Sequence, residues 1–236
     1  MPKVTIGCFH EHLPPVARES TVVAVDVIRA TTTAITAVAT GKRVYPAGSI
    51  EAAVRLAADL DRPILAGELG GVQPYGFDMQ NSPCEMEELA DASRPIILLS
   101  TSGTRLMMEA ASRGACRPAC LRNAGAQAAR LAREGTDAVI LGADSRGEFR
   151  EEDRLCAARI ARPLLEAGHS AGDRLTAEII ERWGDAPDDA LLQSRSARYL
   201  RETAQEHDLE FVLEHIDDLA ATFSLSDGEL RMDQTG

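Results

Sequence analysis

Residues 21–40 read TVVAVDVIRATTTAITAVAT, and this stretch decides the fold. It opens as a short, β-branched apolar run, the pattern of a buried strand, predicted over 21–27. It continues as a helix predicted over 32–40 and closed by Gly41, a C-terminal cap residue. The same alternation recurs along the chain. Apolar runs predict strands at 4–9, 43–46, 63–66, 95–100 and 137–142, and the segments between them predict helices at 50–60, 83–92, 103–113, 124–134 and 151–167. Gly114, Gly135 and Gly168 stand at helix ends, and Ser82-Pro83-Cys84-Glu85 reads as a capping box with proline in the first turn. Regular alternation of this kind predicts an α/β protein: a layered α/β/α domain with a largely parallel or mixed sheet.

The pattern changes after residue 170. Charged helices are predicted at 172–183 and 190–206, a short strand at 211–213, and a hairpin from 222–225 and 229–232 around Ser226-Asp227-Gly228. The expected organisation is therefore a main α/β domain at 1–170 carrying the site, and a helical and hairpin C-terminal portion at 171–236. That portion is expected to pack into the same domain, to cover the sheet edge or to form a small subdomain.

Bulk properties narrow the function. With 44 % hydrophobic and 26 % charged residues, a folded core is the expectation. The net charge of −12 comes with scattered Lys and Arg, which argues against nucleic acid and anionic membranes as partners. No apolar run approaches the roughly 20 residues of a membrane span, and residues 1–12 carry no signal-peptide pattern. Five cysteines without paired spacings fit a reducing cytoplasm. Cys116 and Cys120 read as buried thiols, because no further pair completes a zinc set. His10 and His12, flanking Glu11, read as a polar loop. A homodimer is the base-rate expectation for an enzyme.

Open α/β sheets bind ligands beyond the carboxyl ends of their strands. Asp26 ends the strand at 21–27, and a carboxylate there is costly unless it is paired or binds a cation. Arg29, Thr31, Thr32 and Thr33 follow at a helix start, where free N–H groups and the dipole suit phosphate. Glu68 likewise follows the strand at 63–66 and opens a long glycine-bearing loop that ends at Asp78, Asn81 and Ser82. Ser102, Gly103, Thr104 and Arg105 form a second hydroxyl-rich helix start. Asn123 precedes a third. Asp144 follows the strand at 137–142, and Glu152 and Asp153 start the next helix. Asp26, Glu68 and Asp153 thus offer hard oxygen ligands of the type that surround Mg²⁺, and the arginines and hydroxyls offer anion donors. Such a site would polarise a phosphoryl group. The alternatives are a non-catalytic anion-binding or regulatory module on the same scaffold and a phosphotransferase. Three carboxylates beside an anion argue against the first, and the absence of a P-loop pattern argues against nucleotide use.

These blocks, 26–33, 67–85, 101–105, 123–124 and 142–157, occur in order over more than half the chain, with a further block at 194–200. Together they resemble the 2-phosphosulfolactate phosphatase family. The resemblance implies Mg²⁺-dependent hydrolysis of 2-phosphosulfolactate to sulfolactate and phosphate, a step of coenzyme M synthesis, or of another small phosphorylated hydroxy acid. It also implies catalytic roles for Asp26, Arg29, Glu68 and Asp153. Leu69 stands where the family pattern has arginine, Ser102 where it has asparagine, and Gln80 where it has glycine. Cys156 lies in the 142–157 block and reads as a packed helical residue rather than a nucleophile. The Asp26 segment also resembles that of haloacid-dehalogenase phosphatases, but their second aspartate is replaced by Ile28. That favours attack by water over attack by Asp26.

Overall fold

The computed structural model describes residues 1–9, 20–145 and 147–233; the His10–Glu11–His12 loop reading lies outside them. In chain order the strands are β1 (Lys3–Cys8), β2 (Thr21–Val25), β3 (Val44–Ala47), β4 (Ile64–Gly67), β5 (Ile96–Leu99), β6 (Cys116–Ala119), β7 (Ala138–Gly142), β8 (Asp144–Ser145), β9 (Glu148–Phe149), β10 (Ser170–Ala171), β11 (Phe223–Ser226) and β12 (Glu229–Met232). The helices are α1 (Ala30–Ala39), α2 (Ile50–Asp59), α3 (Pro83–Glu88), α4 (Gly103–Arg113), α5 (Ala124–Glu134), α6 (Glu151–Glu166), α7 (Arg174–Trp183), α8 (Arg195–Glu202) and α9 (Glu206–Glu214).

One mixed sheet runs β10-β1-β7-β2-β6-β11-β12-β3-β5-β4. Its interior strands alternate in period two between two cores. Val23 and Val25 pack with α5, α6 and α7 on one face, and Val22 and Ala24 pack with α4 on the other. This double burial explains why residues 22–25 are apolar throughout.

The C-terminal hairpin does not cover an edge. It sits in the middle of the sheet, joining the parallel block β10-β1-β7-β2-β6 to the parallel block β3-β5-β4. β11 is antiparallel to β6 through Leu225 and Cys116, and β12 is antiparallel to β3 through Leu230 and Val44. The two blocks therefore run in opposite senses. Each attachment is a single residue pair in register. Asp227 and Gly228 both have positive φ, as a two-residue hairpin turn of primed type requires.

Other differences from the sequence reading have local causes. Residues 211–213 belong to α9 rather than a strand, because a three-residue apolar run carries no period of its own. The helix predicted at 190–206 is a 3₁₀ turn (Asp188–Gln193) followed by α8, broken at Ala204, which has φ +55°. β6 has no strand signal because Pro118 lies within it. The proline is tolerated beyond the single contact with β11. Cys116 and Cys120 are buried, and burial pushes their thiols up to about 12 and about 11.

Candidate active site

The β2–α1 turn is tied by its own hydroxyls. Thr31 Oγ1 accepts from the Asp26 N–H at 2.9 Å and donates to the Asp26 carbonyl at 2.8 Å. Thr32 Oγ1 donates to the Val27 carbonyl at 2.7 Å. Thr31, Thr32 and Thr33 are all buried in α1 and outside the cavity lining; the Thr33 hydroxyl has no hydrogen-bond partner among the described residues, while Thr31 and Thr32 build the turn. Their bonds aim the Asp26 carboxylate outward, against the start of α4. A Cβ placed on Gly103 would stand 2.1 Å from Asp26 Oδ2, so position 103 admits no side chain while that carboxylate keeps its place.

Glu68 follows β4 and is held firmly. It accepts from the Thr101 N–H at 2.7 Å, the Thr101 hydroxyl at 2.9 Å and the Gly71 N–H at 2.6 Å. These bonds join the ends of β4 and β5. The loop after Glu68 returns along β4: Asp78 accepts from the Leu65 N–H at 2.8 Å, which is a structural duty. Ser82 caps α3, accepting from the Glu85 N–H at 3.1 Å. Thr104 bonds with Ser100 at the head of α4, and Arg105 is exposed on that helix. Asn123 accepts from the Cys120 N–H at 2.9 Å and holds the turn before α5.

Asp153, in the first turn of α6, accepts from the Val27 N–H at 2.8 Å and so crosses to the β2–α1 turn. Three chain-distant acids thereby meet. Asp26, Glu68 and Asp153 line a single cavity of about 470 Å³, together with Arg29, Asn81 and Ser102. The volume suits a small ligand. Thr31, Thr32, Thr33, Ser82, Gly103, Thr104, Arg105 and Asn123 are not in its lining. Leu69 is outside it too, with its side chain toward solvent.

The tail supplies what the sequence reading missed. Arg195, Ser196, Arg198 and Tyr199 of α8 line the cavity. Tyr199 donates to the Gly71 carbonyl at 3.1 Å, docking α8 on the 67–82 loop. Asp208 of α9 is fully buried. It pairs with Arg29 Nη1 and accepts from the Ser82 hydroxyl at 2.5 Å. Gln205 accepts from Arg29 at 2.7 Å. The only sequence signal for this region was the 194–200 block; nothing marked Asp208.

The electrostatics are those of like charges crowded away from water. Burial first, then the Glu68 carboxylate, pushes Asp26 up to about 7 from 3.8. Burial, then Asp26 and Glu152, raises Asp153 well above the carboxylate range. Glu152 is raised by its own burial. A cation would relieve this repulsion. Among the described residues no three His, Cys, Asp or Glu side chains form a group able to hold one metal ion. Mg²⁺ does not need one, because it is commonly held by one or two carboxylates, waters and substrate phosphate. Asp26 and Asp153 fit that form. Glu68 already accepts three hydrogen bonds, which leave a lone pair on Oε1, so it fits directly or through water. Cys156 is buried, and its thiol is raised well above the usual range by burial, which removes it as a nucleophile.

Comparison with known proteins adds an independent line. The family model described as 2-phosphosulpholactate phosphatase matches residues 9–222. A protein of Caldanaerobacter subterraneus subsp. tengcongensis is 30 % identical over 223 residues, covering 92 % of each chain. One from Synechococcus sp. is 31 % identical over 218 residues, covering 87 % of this chain and 89 % of its own. One from Carboxydothermus hydrogenoformans is 37 % identical over 151 residues, which is 64 % of this chain and 63 % of its own. All three are named "Probable 2-phosphosulfolactate phosphatase".

Proposed function

The chain belongs to the 2-phosphosulpholactate phosphatase family, and from that premise we propose that it is a Mg²⁺-dependent phosphoric monoester hydrolase. Its substrate is a small, acidic, phosphorylated hydroxy acid, with 2-phosphosulfolactate first in line. The observation that carries this reading is the meeting of Asp26, Glu68 and Asp153 in one cavity with Arg29.

Asp26 and Asp153 would hold Mg²⁺, with Glu68 reaching it directly or through water. Bound there, Mg²⁺ supplies charge that polarises the phosphoryl group and makes water more acidic. Arg29, pre-positioned by Asp208, binds phosphate oxygens, and Asn81 and Ser102 offer further polar contacts. The Oδ1 of Asn81 is buried without a partner among the described residues, as expected of an atom kept for a ligand or water. Hydrolysis adds water across the P–O ester bond and releases the hydroxy acid and phosphate. Ile28 forms an apolar wall where a second aspartate would serve a phosphoaspartate route, so water is the assigned nucleophile. The five cysteines are free and no helix among the described residues is long and apolar enough to cross a membrane. The free thiols support a cytoplasmic setting.

The test is phosphate release, with and without Mg²⁺, from 2-phosphosulfolactate, phospholactate, phosphoglycolate and phosphoglycerate. Metal-dependent release, greatest from 2-phosphosulfolactate, is expected. No metal-dependent release from any of the four would leave an anion-binding module in its place.

A further inference from the structure

Four guanidinium groups line the cavity: Arg29, Arg150, Arg195 and Arg198. Three of them are already matched with carboxylates. Arg29 pairs with Asp208, and Arg150 and Arg195 both meet Glu148. Arg198 is different. Its backbone N–H donates to Ser194 within α8, but its guanidinium has no hydrogen-bond or ion-pair partner among the described residues. Glu202, one turn on, also lines the cavity but is not ion-paired with it.

The backbone that carries Arg198 is fixed. Ser194 caps α8 through the Ala197 N–H at 3.0 Å, Leu200 is buried in the core, and Tyr199 is bonded to Gly71. Asp26, Asp153 and Arg29 are each less than a tenth exposed and form the floor, while Arg198 is exposed at the rim. The cavity thus has a buried floor and, at its mouth, a guanidinium without a carboxylate partner among the described residues.

We infer that Arg198 is a specificity residue for one of the two non-phosphate acids of the substrate, gripping its sulfonate or its carboxylate while the phosphate occupies the floor. The inference rests on the phosphatase reading for which group lies below. Its ligand chemistry is that of an oxyanion, carboxylate or sulfonate, which a guanidinium binds through two parallel N–H donors. It makes the C-terminal portion a determinant of substrate choice.

Two measurements test it on the full-length protein. The first compares kcat/KM of wild type, Arg198→Ala and Arg198→Lys on 2-phosphosulfolactate, 2-phospholactate and isopropyl phosphate, which shares the skeleton but has no second acid. The ratio of 2-phosphosulfolactate to isopropyl phosphate should fall roughly tenfold or more in Arg198→Ala, through KM, with partial rescue by lysine. The phospholactate arm tells carboxylate from sulfonate. An unchanged ratio overturns the inference. The second is calorimetric titration with sulfolactate, which has no phosphate and needs no turnover. Weaker binding by Arg198→Ala supports the inference even if no ester is hydrolysed, in which case only the phosphatase reading fails. Equal affinity of the two proteins overturns it.

Discussion

Asp26 is costly where it stands. Its carboxyl is held up to about 7 in the folded chain, against 3.8 in its ordinary state, so the native protein binds that proton more tightly than the unfolded one. The associated stability is complete below pH 3.8 and is lost as pH rises through about 7. Asp26→Asn should therefore unfold at a higher temperature than wild type above pH 7 in chelator. The gain is of order a few kcal/mol at most and should vanish toward pH 4. Denaturant titrations at the two pH values check this; a gain independent of pH would contradict it. Added Mg²⁺ should narrow the difference by stabilising wild type and not the variant. The place of Asp26 in the cavity was legible in the sequence, because an acid closing an all-apolar strand has few inexpensive explanations. The threonines beside it were less legible. A hydroxyl at a helix start serves equally to bind a ligand or to fasten a turn, and Thr31 and Thr32 do the second.

At the scale of elements, α8 and α9 turn a set of strand ends into a pocket. Asp208 reaches from α9 to hold both Arg29 and the cap residue of α3. Removing one partner of a buried pair leaves the other charged and alone, which costs about 3–5 kcal/mol. Asp208→Asn should lower stability by an amount of that order and lower kcat, because Arg29 loses its aim. Ser82→Ala should give a smaller loss of the same kind. A variant that is destabilised but turns over normally once folded would reduce Asp208 to a structural residue. These helices were hard to read because their evidence is distributed. Asp208 has no local motif, and the hydrogen-bond partners of its carboxylate are at positions 29, 82 and 84. By contrast α4 (Gly103–Arg113) and α5 (Ala124–Glu134) have the boundaries read from the sequence, since each combines a glycine stop with a clear apolar face.

The whole molecule depends on a hairpin at the end of its chain. The α/β class follows from alternation alone, but strand order does not. Nothing in the local pattern of residues 222–232 reveals that they insert between strands formed by residues 44–47 and 116–119. That insertion sets the sense of each block and lets Asp26 and Asp153 from one block face Glu68 from the other. A chain ending at residue 221 should lose its cooperative thermal transition, as followed by circular dichroism. Retention of a sharp transition would mean that the blocks hold together without the hairpin.

The central claim is that acids from both blocks act as one phosphate-releasing centre. Its most direct test is phosphate release from 2-phosphosulfolactate with saturating Mg²⁺, wild type beside Asp26→Asn, each first shown to be folded. The account predicts turnover by wild type and none above background by the variant. Near-normal turnover by Asp26→Asn would contradict it.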